Sequence, residues 1–236
     1  MRAMILAAGR GERMRPLTDT CPKPLLKAGG KPLLQWHVEA LVQAGITELV
    51  VNHAHLGEQI EAYFGDGRAL GAHIAYSPEL VALETAGGIA KALPLLNPEG
   101  LNSPFLVING DVYCDWSVNK ALDIARSWMP GQQAHLVLVP NPDHNPAGDF
   151  ELQGNTVRDR SGQSPACTFS GIGVYAPSLF QNVARGSVAK LAPLLRTAMQ
   201  QGTVNGELHS GCWMDIGTPA RLDELNQLLQ HKAGRV

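Results

Sequence analysis

Five short apolar runs, each ending in small or polar residues, constrain the fold of this chain more than any other feature of its sequence. They read AMILAAG (3–9), ELVVNH (48–53), AHIAYS (72–77), FLVING (105–110) and AHLVLVP (134–140). Runs of this length are typical of buried strands. Helix-like segments lie between them, near 32–45, 57–64, 85–93 and 117–128. Because strands and helices alternate, the sequence predicts an α/β fold whose mainly parallel sheet is covered by helices on both faces.

The second part of the chain has a different pattern. After Pro140 comes the loop NPDHNPAGD, and short strand-like pieces follow at 149–158 and 169–175. We also expect further elements, which are a helix near 187–201, a strand near 204–209 and a last helix near 218–231. No linker separates the parts, so we expect a single domain over 1–236, in which 141–236 forms a small α+β lobe beside the half 1–140.

Charge and cysteine content exclude several classes of protein. The formal net charge is −2, so no basic field favours nucleic acid or an anionic membrane as a partner. No apolar run is long enough for a membrane span or a signal-peptide core. Four cysteines lie far apart without a C-x-x-C pair, which favours reduced thiols over a zinc site or a disulfide framework: Cys21, Cys114, Cys167 and Cys212. We therefore expect a cytoplasmic protein.

The stretch LAAGRGERMRPLTDTCPKPLL (6–26) follows the first predicted strand. It therefore falls at the carboxyl edge of the sheet, where open α/β folds bind ligands. Gly9 and Gly11 leave backbone N–H groups free to approach an anion, and the stretch is rich in arginine and lysine. It lacks the third glycine of the dinucleotide fingerprint and the Gly-Lys-Ser/Thr ending of a P-loop. A polyphosphate bound in another way is the predicted ligand.

This stretch closely resembles the signature of the sugar-phosphate nucleotidylyltransferases, in which Gly-x-Gly-x-x-x-Arg, Leu-Thr and Pro-Lys-Pro surround the triphosphate of a nucleotide. Four later blocks resemble those of the family in the same order: LETAGGI (83–89), INGDV (108–112), FSGIGVY (169–175) and WMDIGTP (213–219). The resemblance spans essentially the whole chain. It implies the Rossmann-like fold of nucleotide-diphospho-sugar transferases, with a nucleotide-binding half (1–140) and a half that binds the sugar and completes the metal site (141–236).

The family resemblance also implies residue roles. Lys23 would contact the α-phosphate, Arg15 would stabilise the leaving pyrophosphate, and Asp111 would act with them in catalysis. Mg²⁺ would be held by Asp111 and Asp215, although a single aspartate at a strand end is by itself more often a turn former. The implied nucleotide-binding residues are Ala8, Gly9, Gly11, Glu12, Arg13, Lys23, Thr85, Gly87 and Gly88.

Two further features of the sequence are open to a structural explanation. Gly87 and Gly88 interrupt a helical pattern, and either ligand approach or close helix packing would explain them. His53 and His55 alternate at a strand end, but no third ligand is evident, so we interpret them as polar strand-end residues and not as a metal pair.

Sugar recognition is the weaker part of the resemblance. The implied sugar-binding residues are Asn109, Gly148, Asp149, Glu151 and Gly171. Many relatives carry a Glu-Lys-Pro element before the FSG block, where this chain reads VRDRSGQSPACT (157–168). The second sugar-phosphate lysine of the family therefore has no counterpart that we can assign.

The blocks LETAGGI and FSGIGVY, together with the short segment after WMDIGTP, favour one group within the family. With these features the chain most resembles the short uridylyltransferases of cell-wall sugar recycling, which implies UTP and N-acetylmuramic acid 1-phosphate as small-molecule substrates. A monomer is expected. A mannose-1-phosphate guanylyltransferase and a non-catalytic nucleotide-sugar sensor are the alternatives.

Overall fold

A computed structural model describes residues 1–162 and 164–233. Within these residues the helices are α1 Leu33–Gln43, α2 Gly57–Phe64, α3 Glu84–Leu96, α4 Asn119–Arg126, α5 Leu191–Gln200 and α6 Pro219–Ala233. The strands are β1 Ala3–Ala7, β2 Lys27–Ala28, β3 Lys31–Pro32, β4 Glu48–His53, β5 His73–Pro78, β6 Phe105–Asn109, β7 Val112–Cys114, β8 Ala134–Val139, β9 Phe150–Gln153, β10 Thr156–Asp159, β11 Ala166–Tyr175, β12 Val204–Leu208 and β13 Trp213–Asp215.

The central sheet joins strands from both halves of the chain. Its order is β5-β4-β1-β6-β11-β8-β12-β10-β9. β1 pairs in parallel with β4 and β6, and β8 pairs in parallel with β12. β11 is antiparallel to both β6 and β8, and β10 is antiparallel to β9 and β12. The predicted α/β class with a mainly parallel sheet is therefore confirmed, and the antiparallel strands come from the predicted α+β part.

Alternating side chains of the strands build a hydrophobic core on each face of the sheet. In β1, Met4 packs on the face covered by α3 and α5, whereas Ala3 and Ile5 pack on the face covered by α1, α2 and α4. This alternation follows from the two-residue period of a strand. A third cluster packs Met14 of the glycine-rich loop against Leu222 and Leu225 of α6. No helix in the described ranges combines the length and hydropathy needed to cross a membrane.

Helix α5 begins at Leu191, four residues later than the sequence pattern predicts. The preceding segment pairs with the start of α3 instead of continuing the helix. The Ala189 carbonyl accepts hydrogen bonds from the N–H groups of Ala86 at 2.9 Å and Gly87 at 3.1 Å, and the Ala189 N–H donates to the Leu83 carbonyl at 3.0 Å. These bonds satisfy N–H groups that the first turn of a helix leaves unpaired, so a tertiary contact overrides the local helix pattern.

Two features of this topology place a site at one edge of the sheet. β1 lies between β4 and β6, so the strand order reverses there, and ligands of open α/β sheets bind beside such a point. Next to it, β7 and β13 form an antiparallel two-stranded ribbon in which Val112 faces Asp215 and Cys114 faces Trp213. We refer to this pair as the β7–β13 ribbon. It brings Asp111, just before β7, to the same end as Asp215.

Candidate active site

Two adjoining cavities open at this edge of the sheet. The larger has a volume of about 340 Å³ and is lined by Leu6, Ala7, Ala8, Gly9, Lys23, Pro24, Asn52, Glu79, Ala82, Glu84, Thr85, Asn109, Gly110 and Asp111. The smaller, of about 200 Å³, is lined by Gly9, Gly11, Glu12, Arg13, Lys23, Asp111 and Gly217. Gly9, Lys23 and Asp111 line both cavities. The two cavities therefore meet at residues that the sequence assigned to phosphate and metal.

Lys23 and Asp111 form an ion pair at this junction. Lys23 Nζ donates to Asp111 Oδ2 at 2.6 Å, and Lys23 is only 8% exposed. Lys23 opens a short 3-10 turn between Pro22 and Pro24, whose rings restrict the backbone there. A buried ammonium group needs a charged or hydrogen-bonding partner, and here the partner is a carboxylate at the end of β6. The fold thus fixes a cation where the two cavities meet.

The arginine that lines the smaller cavity is Arg13, whereas the sequence analysis expected Arg15 to bind the leaving pyrophosphate. A side chain added at Gly217 would put its Cβ 2.8 Å from Arg13 Nη2, so the guanidinium lies directly against Gly217. Arg15 instead pairs with Asp19, with Nε 3.2 Å from Oδ1, and half of its side chain is exposed. The physical reason is local: Arg15 and Asp19 are four residues apart on the outer part of the loop. Arg13 is therefore a second candidate for binding the leaving pyrophosphate, and the role of Arg15 stays a prediction.

Gly11 shows why the loop needs glycine. Its φ angle is 68°, and a Cβ atom there would lie 3.0 Å from Thr18 Cγ2 and 3.2 Å from Lys23 Cβ. The Thr18 hydroxyl donates to the Gly11 carbonyl at 2.8 Å, which holds the loop closed over the Lys23 segment. Glycine thus permits both the left-handed backbone and the close approach. At Gly9 an added Cβ would meet nothing within 4 Å, so its backbone faces open space.

The far wall of the larger cavity contains two buried polar residues that the sequence analysis missed. Asn52 Oδ1 accepts from the Ala7 N–H at 2.9 Å, and Asn52 Nδ2 donates to Glu79 Oε1 at 2.7 Å. Glu79 Oε2 accepts from the Leu83 N–H at 2.8 Å. These bonds connect β1, β4 and the start of α3. Asn52 is a polar residue near the end of a buried strand, the same signal that identified Asp111, and could have been found by it.

Gly87 and Gly88 are explained by packing within the protein. A Cβ at Gly87 would lie 2.2 Å from the Ser187 carbonyl oxygen, and one at Gly88 would lie 2.7 Å from Glu79 Oε1. Both glycines are buried, whereas Thr85, one turn earlier, lines the larger cavity. Of the two explanations considered, the structure supports close packing for these glycines. Among the three residues of this block that were predicted to contact the nucleotide, only Thr85 lines the larger cavity.

Replacement of Gly87 by alanine tests this packing. We expect Gly87→Ala to lower the free energy of unfolding by roughly 1–3 kcal/mol, because the new methyl group overlaps the Ser187 carbonyl and must displace it. Chemical denaturation measures the loss, and the KM for nucleotide should change little in the folded variant. Unchanged stability together with a raised nucleotide KM would instead assign Gly87 to ligand contact.

Asp215 is held by two basic side chains from different elements. Arg221 of α6 donates from Nη1 to Asp215 Oδ2, and His144 Nε2 lies 3.0 Å from Asp215 Oδ1. The backbone N–H of Ile216 donates to the Asp111 carbonyl at 2.7 Å, which ties the two aspartate blocks together. The site therefore offers two carboxylates at one end of the β7–β13 ribbon, and each is paired with a basic side chain. Arg221 and His144 were not predicted from the sequence.

The predicted sugar residues fall into two groups. Asn109 lines the larger cavity, and Gly171 lies against it, because a Cβ at Gly171 would be 2.6 Å from Asn109 Nδ2. Gly171 has a φ angle of 81° and occupies the irregular register of β11 between Phe169 and Ile172. Asp149 Oδ2 accepts from the Phe169 N–H at 2.8 Å. Asn109 and Gly171 therefore lie at the larger cavity, whereas Asp149 contacts the backbone of β11 two residues before Gly171.

Glu151 and Gly148 have structural partners. The Glu151 carboxylate is buried and accepts from the Ser161 N–H at 2.7 Å, the Ser161 hydroxyl at 2.9 Å and the Gly162 N–H at 3.1 Å. The Ser161 N–H bond contributes most to lowering the pKa of Glu151. At Gly148, a Cβ would lie 2.7 Å from Asn141 Oδ1. The Glu151 oxygens therefore hold the 161–162 turn, and Gly148 has a packing role; sugar contact by either residue stays a prediction.

The histidine pair binds protein groups, as interpreted from the sequence. His53 Nε2 lies 2.6 Å from Glu61 Oε1, and the ring is buried above Gly57. His55 Nδ1 lies 3.1 Å from Arg10 Nη1, and His55 Nε2 lies 3.2 Å from the Thr18 carbonyl. The two rings therefore have separate partners. His55 helps to hold the glycine-rich loop.

Known proteins share both the sequence and the fold. N-acetylmuramate alpha-1-phosphate uridylyltransferase of Neisseria meningitidis serogroup B is 56% identical over 230 residues, which are 97% of this chain and 98% of that one. The mannose-1-phosphate guanylyltransferase catalytic subunit beta of Danio rerio is 30% identical over 93% of this chain and 62% of its own length. A Bacillus anthracis structure described as a glucose-1-phosphate thymidylyltransferase superposes with a TM-score of 0.84 at 21% identity, covering 98% of this chain and 95% of that one.

The structural match, at 21% identity, supports the fold. The sequence match to the Neisseria protein covers 97% of this chain. The model of the nucleotidyl transferase family matches residues 2–232, from β1 to the last turn of α6. The glycine-rich loop, Lys23 and both aspartates lie inside that range. This chain belongs to the nucleotidyl transferase family.

Proposed function

We propose that this protein transfers UMP from UTP to N-acetylmuramic acid 1-phosphate, giving UDP-N-acetylmuramic acid and pyrophosphate. The observation that carries the proposal is the 56% identity to the Neisseria uridylyltransferase over 98% of that protein's length. The cavity pair supports it, because a nucleoside triphosphate needs one compartment for its base and sugar and another for its phosphates. Lys23 lies where these compartments meet.

The reaction needs positioning and charge neutralisation more than a protein nucleophile. A phosphate oxygen of the sugar phosphate attacks the α-phosphorus, a new P–O bond forms, and the bond to pyrophosphate breaks. We propose that the Lys23 ammonium binds the α-phosphate and that the Arg13 guanidinium binds the β- and γ-phosphates in the smaller cavity. Backbone N–H groups of the 8–12 segment complete the anion site. Cations fixed before substrate arrives stabilise charge without reorganising during the reaction.

Asp111 and Asp215 are the proposed ligands for a divalent ion, Mg²⁺. Two carboxylates at one end of the β7–β13 ribbon fit the hard oxygen donors that Mg²⁺ prefers. When bound, the ion would neutralise charge on the substrate phosphates. In the structure Lys23 pairs with Asp111 Oδ2, whereas Arg221 and His144 pair with the two oxygens of Asp215. These basic residues compensate the charge of the two carboxylates, and an ion bound by Asp215 would displace one of its two partners.

The second half provides the proposed sugar side of the site. Asn109, Asp149 and Gly171 cluster around the irregular segment of β11, next to the larger cavity. Muramic acid carries a lactyl carboxylate, which requires a donor or contact with water. Arg160 is our candidate donor, because its exposed side chain bonds to the carbonyls of Ala147 and Gly148 at 3.3 and 3.2 Å and so lies along the same loop.

A matrix of substrates tests the proposal. We expect the highest kcat/KM for UTP with N-acetylmuramic acid 1-phosphate when five nucleoside triphosphates are combined with muramate, glucosamine, glucose and mannose 1-phosphates. Pyrophosphate release in the presence of Mg²⁺ gives the readout. Differences in kcat/KM report differential binding of the transition state. Arg160→Gln should lower kcat/KM for the muramate by about tenfold and have little effect on glucose and mannose 1-phosphates, which lack the lactyl carboxylate.

Two results would contradict the assignment in different ways. Preference for GTP with mannose 1-phosphate would favour the guanylyltransferase alternative and leave nucleotidyl transfer intact. Nucleotide binding without pyrophosphate release from any pair would favour a nucleotide-sugar sensor.

A further inference from the structure

Three metal-binding side chains gather at the opposite end of the β7–β13 ribbon from the aspartates. Ligand atoms of Cys114, Asp115 and His209 all lie within 4.8 Å of one another. His209 Nε2 lies 2.8 Å from Asp115 Oδ1. Cys114 ends β7, Asp115 follows it, and His209 follows β12. None of the three lines either substrate cavity. One sulfur, one oxygen and one nitrogen donor therefore converge outside the candidate active site.

The backbone around this cluster is held in place by hydrogen bonds. The Asp115 N–H donates to the Cys212 carbonyl at 3.0 Å, and the His209 N–H donates to the Leu138 carbonyl at 2.7 Å. A Cβ at Gly211 would lie 2.4 Å from Asp115 Oδ1 and 2.6 Å from His209 Cε1. Glycine at 211 therefore lets the 209–212 loop close around the two side chains without filling the space between them. Preformed backbone of this kind reduces the cost of ordering ligands.

The Cys114 thiol has surroundings that suit a bound cation. The Trp116 N–H donates to Cys114 Sγ at 3.4 Å, a bond that orients the sulfur and favours its thiolate form. Metal ligation would replace the thiol proton with a metal–sulfur bond and release that proton to solvent.

We propose that Cys114, Asp115 and His209 bind a borderline-soft divalent ion such as Zn²⁺, with water at a fourth position. The donor set decides the class of ion, because sulfur and imidazole favour Zn²⁺ and related metals, whereas Mg²⁺ requires oxygen. The ion fastens the 209–212 loop to the end of β7. It thereby fixes the strand pairing that brings Asp111 to the same end of the ribbon as Asp215. The Lys232 ammonium interacts with Asp115 and opposes a cation here.

Titration of the purified, metal-free full-length protein tests the proposal. We expect one equivalent of Zn²⁺ to bind in competition with a chromogenic chelator, and one equivalent of Co²⁺ to give a thiolate-to-cobalt charge-transfer band. Cys114→Ser should abolish the band, and His209→Gln should weaken binding by about tenfold or more. Lys232→Gln should tighten binding, because it removes an opposing charge.

Matched variants separate this site from others on the chain. Cys167→Ser removes a free thiol outside the cluster and should leave the titration unchanged. Asp111→Asn should also leave the cobalt band unchanged, because it alters the oxygen site alone. Circular dichroism checks folding, and Zn²⁺ should raise the Tm of the wild type but not of Cys114→Ser. If Cys114→Ser does not fold, Asp115→Asn and His209→Gln provide the same comparison.

Absence of a thiolate band in the wild type would overturn the proposal. So would a band that persists in Cys114→Ser, or Zn²⁺ affinity that is unchanged in His209→Gln.

Discussion

Lys23→Ala should lower kcat by about 10²–10³-fold, the loss seen when a preorganised group that stabilises transition-state charge is removed. Lys23 is buried between Pro22 and Pro24 and lies where the two cavities meet, so water cannot easily replace its ammonium. The KM for nucleotide should rise less than kcat falls, because Arg13 and the loop N–H groups still bind the phosphates. Steady-state release of pyrophosphate measures both parameters.

Lys120→Ala is the matched control for this variant. Lys120 Nζ also pairs with a carboxylate, Glu207, at 3.0 Å, but it lies on α4 and lines neither cavity. Its removal should leave kcat within about twofold of the wild type, because an exposed ion pair contributes little. Lys23→Arg should not restore activity, since a planar guanidinium does not fit the position of a compact ammonium. Near-normal turnover of Lys23→Ala would remove this lysine from the mechanism.

Asp111→Asn is expected to reduce kcat/KM by about a hundredfold and to raise the Mg²⁺ concentration needed for half-maximal rate. Asparagine keeps the shape of the side chain but removes the charge that attracts the ion. In the wild type the Lys23 ammonium lies 2.6 Å from the Asp111 carboxylate. In the variant it would lie beside a neutral amide. Activity measured across a range of Mg²⁺ concentrations separates a metal defect, which high Mg²⁺ partly relieves, from a defect in Lys23 alone.

Asp123→Asn provides the control for lost negative charge. Asp123 pairs with Arg126 on the exposed surface of α4, so this variant changes net charge without touching the site. Its Mg²⁺ dependence should match the wild type. Equal Mg²⁺ dependence of Asp111→Asn and the wild type would contradict a role for Asp111 in binding the ion.

The fold was predictable because its signals are local. Each strand that the first half contributes to the central sheet is an apolar run, and each helix carries its own periodicity, so the order of these elements follows from the sequence. The short strands β2, β3 and β7 lie outside that sheet and carry no such signal. The start of α5 was not predictable, because the Ala189 carbonyl pairs with α3, and a contact between distant segments leaves no local signal. The positions of Asp111 and Lys23 followed from a strand end and a family motif. Their 2.6 Å contact required the structure.

The differences between the expected and the observed surroundings of the site residues have a common physical cause. Arg13 and Arg15 are two residues apart and chemically equal, so only the course of the loop decides which one faces the cavity. Glu151 resembles a ligand-binding carboxylate in the sequence, but three donors of the 161–162 turn use its oxygens. The wide spacing of the cysteines likewise concealed the convergence of Cys114 with Asp115 and His209. Spacing along the chain does not report distance across a sheet.

The β7–β13 ribbon has a consequence for the order in which the protein becomes active during synthesis. Asp111 and β7 belong to the half that leaves the ribosome first, whereas β13, which pairs with β7, is made shortly before α6. A pairing between such distant segments forms late, because it requires closure of a long loop. The glycine-rich loop depends on the same late part of the chain, because Met14 packs against Leu222 and Leu225 of α6. The anion-binding loop and the pair of carboxylates therefore reach their final positions together, after β13 and α6 have been made.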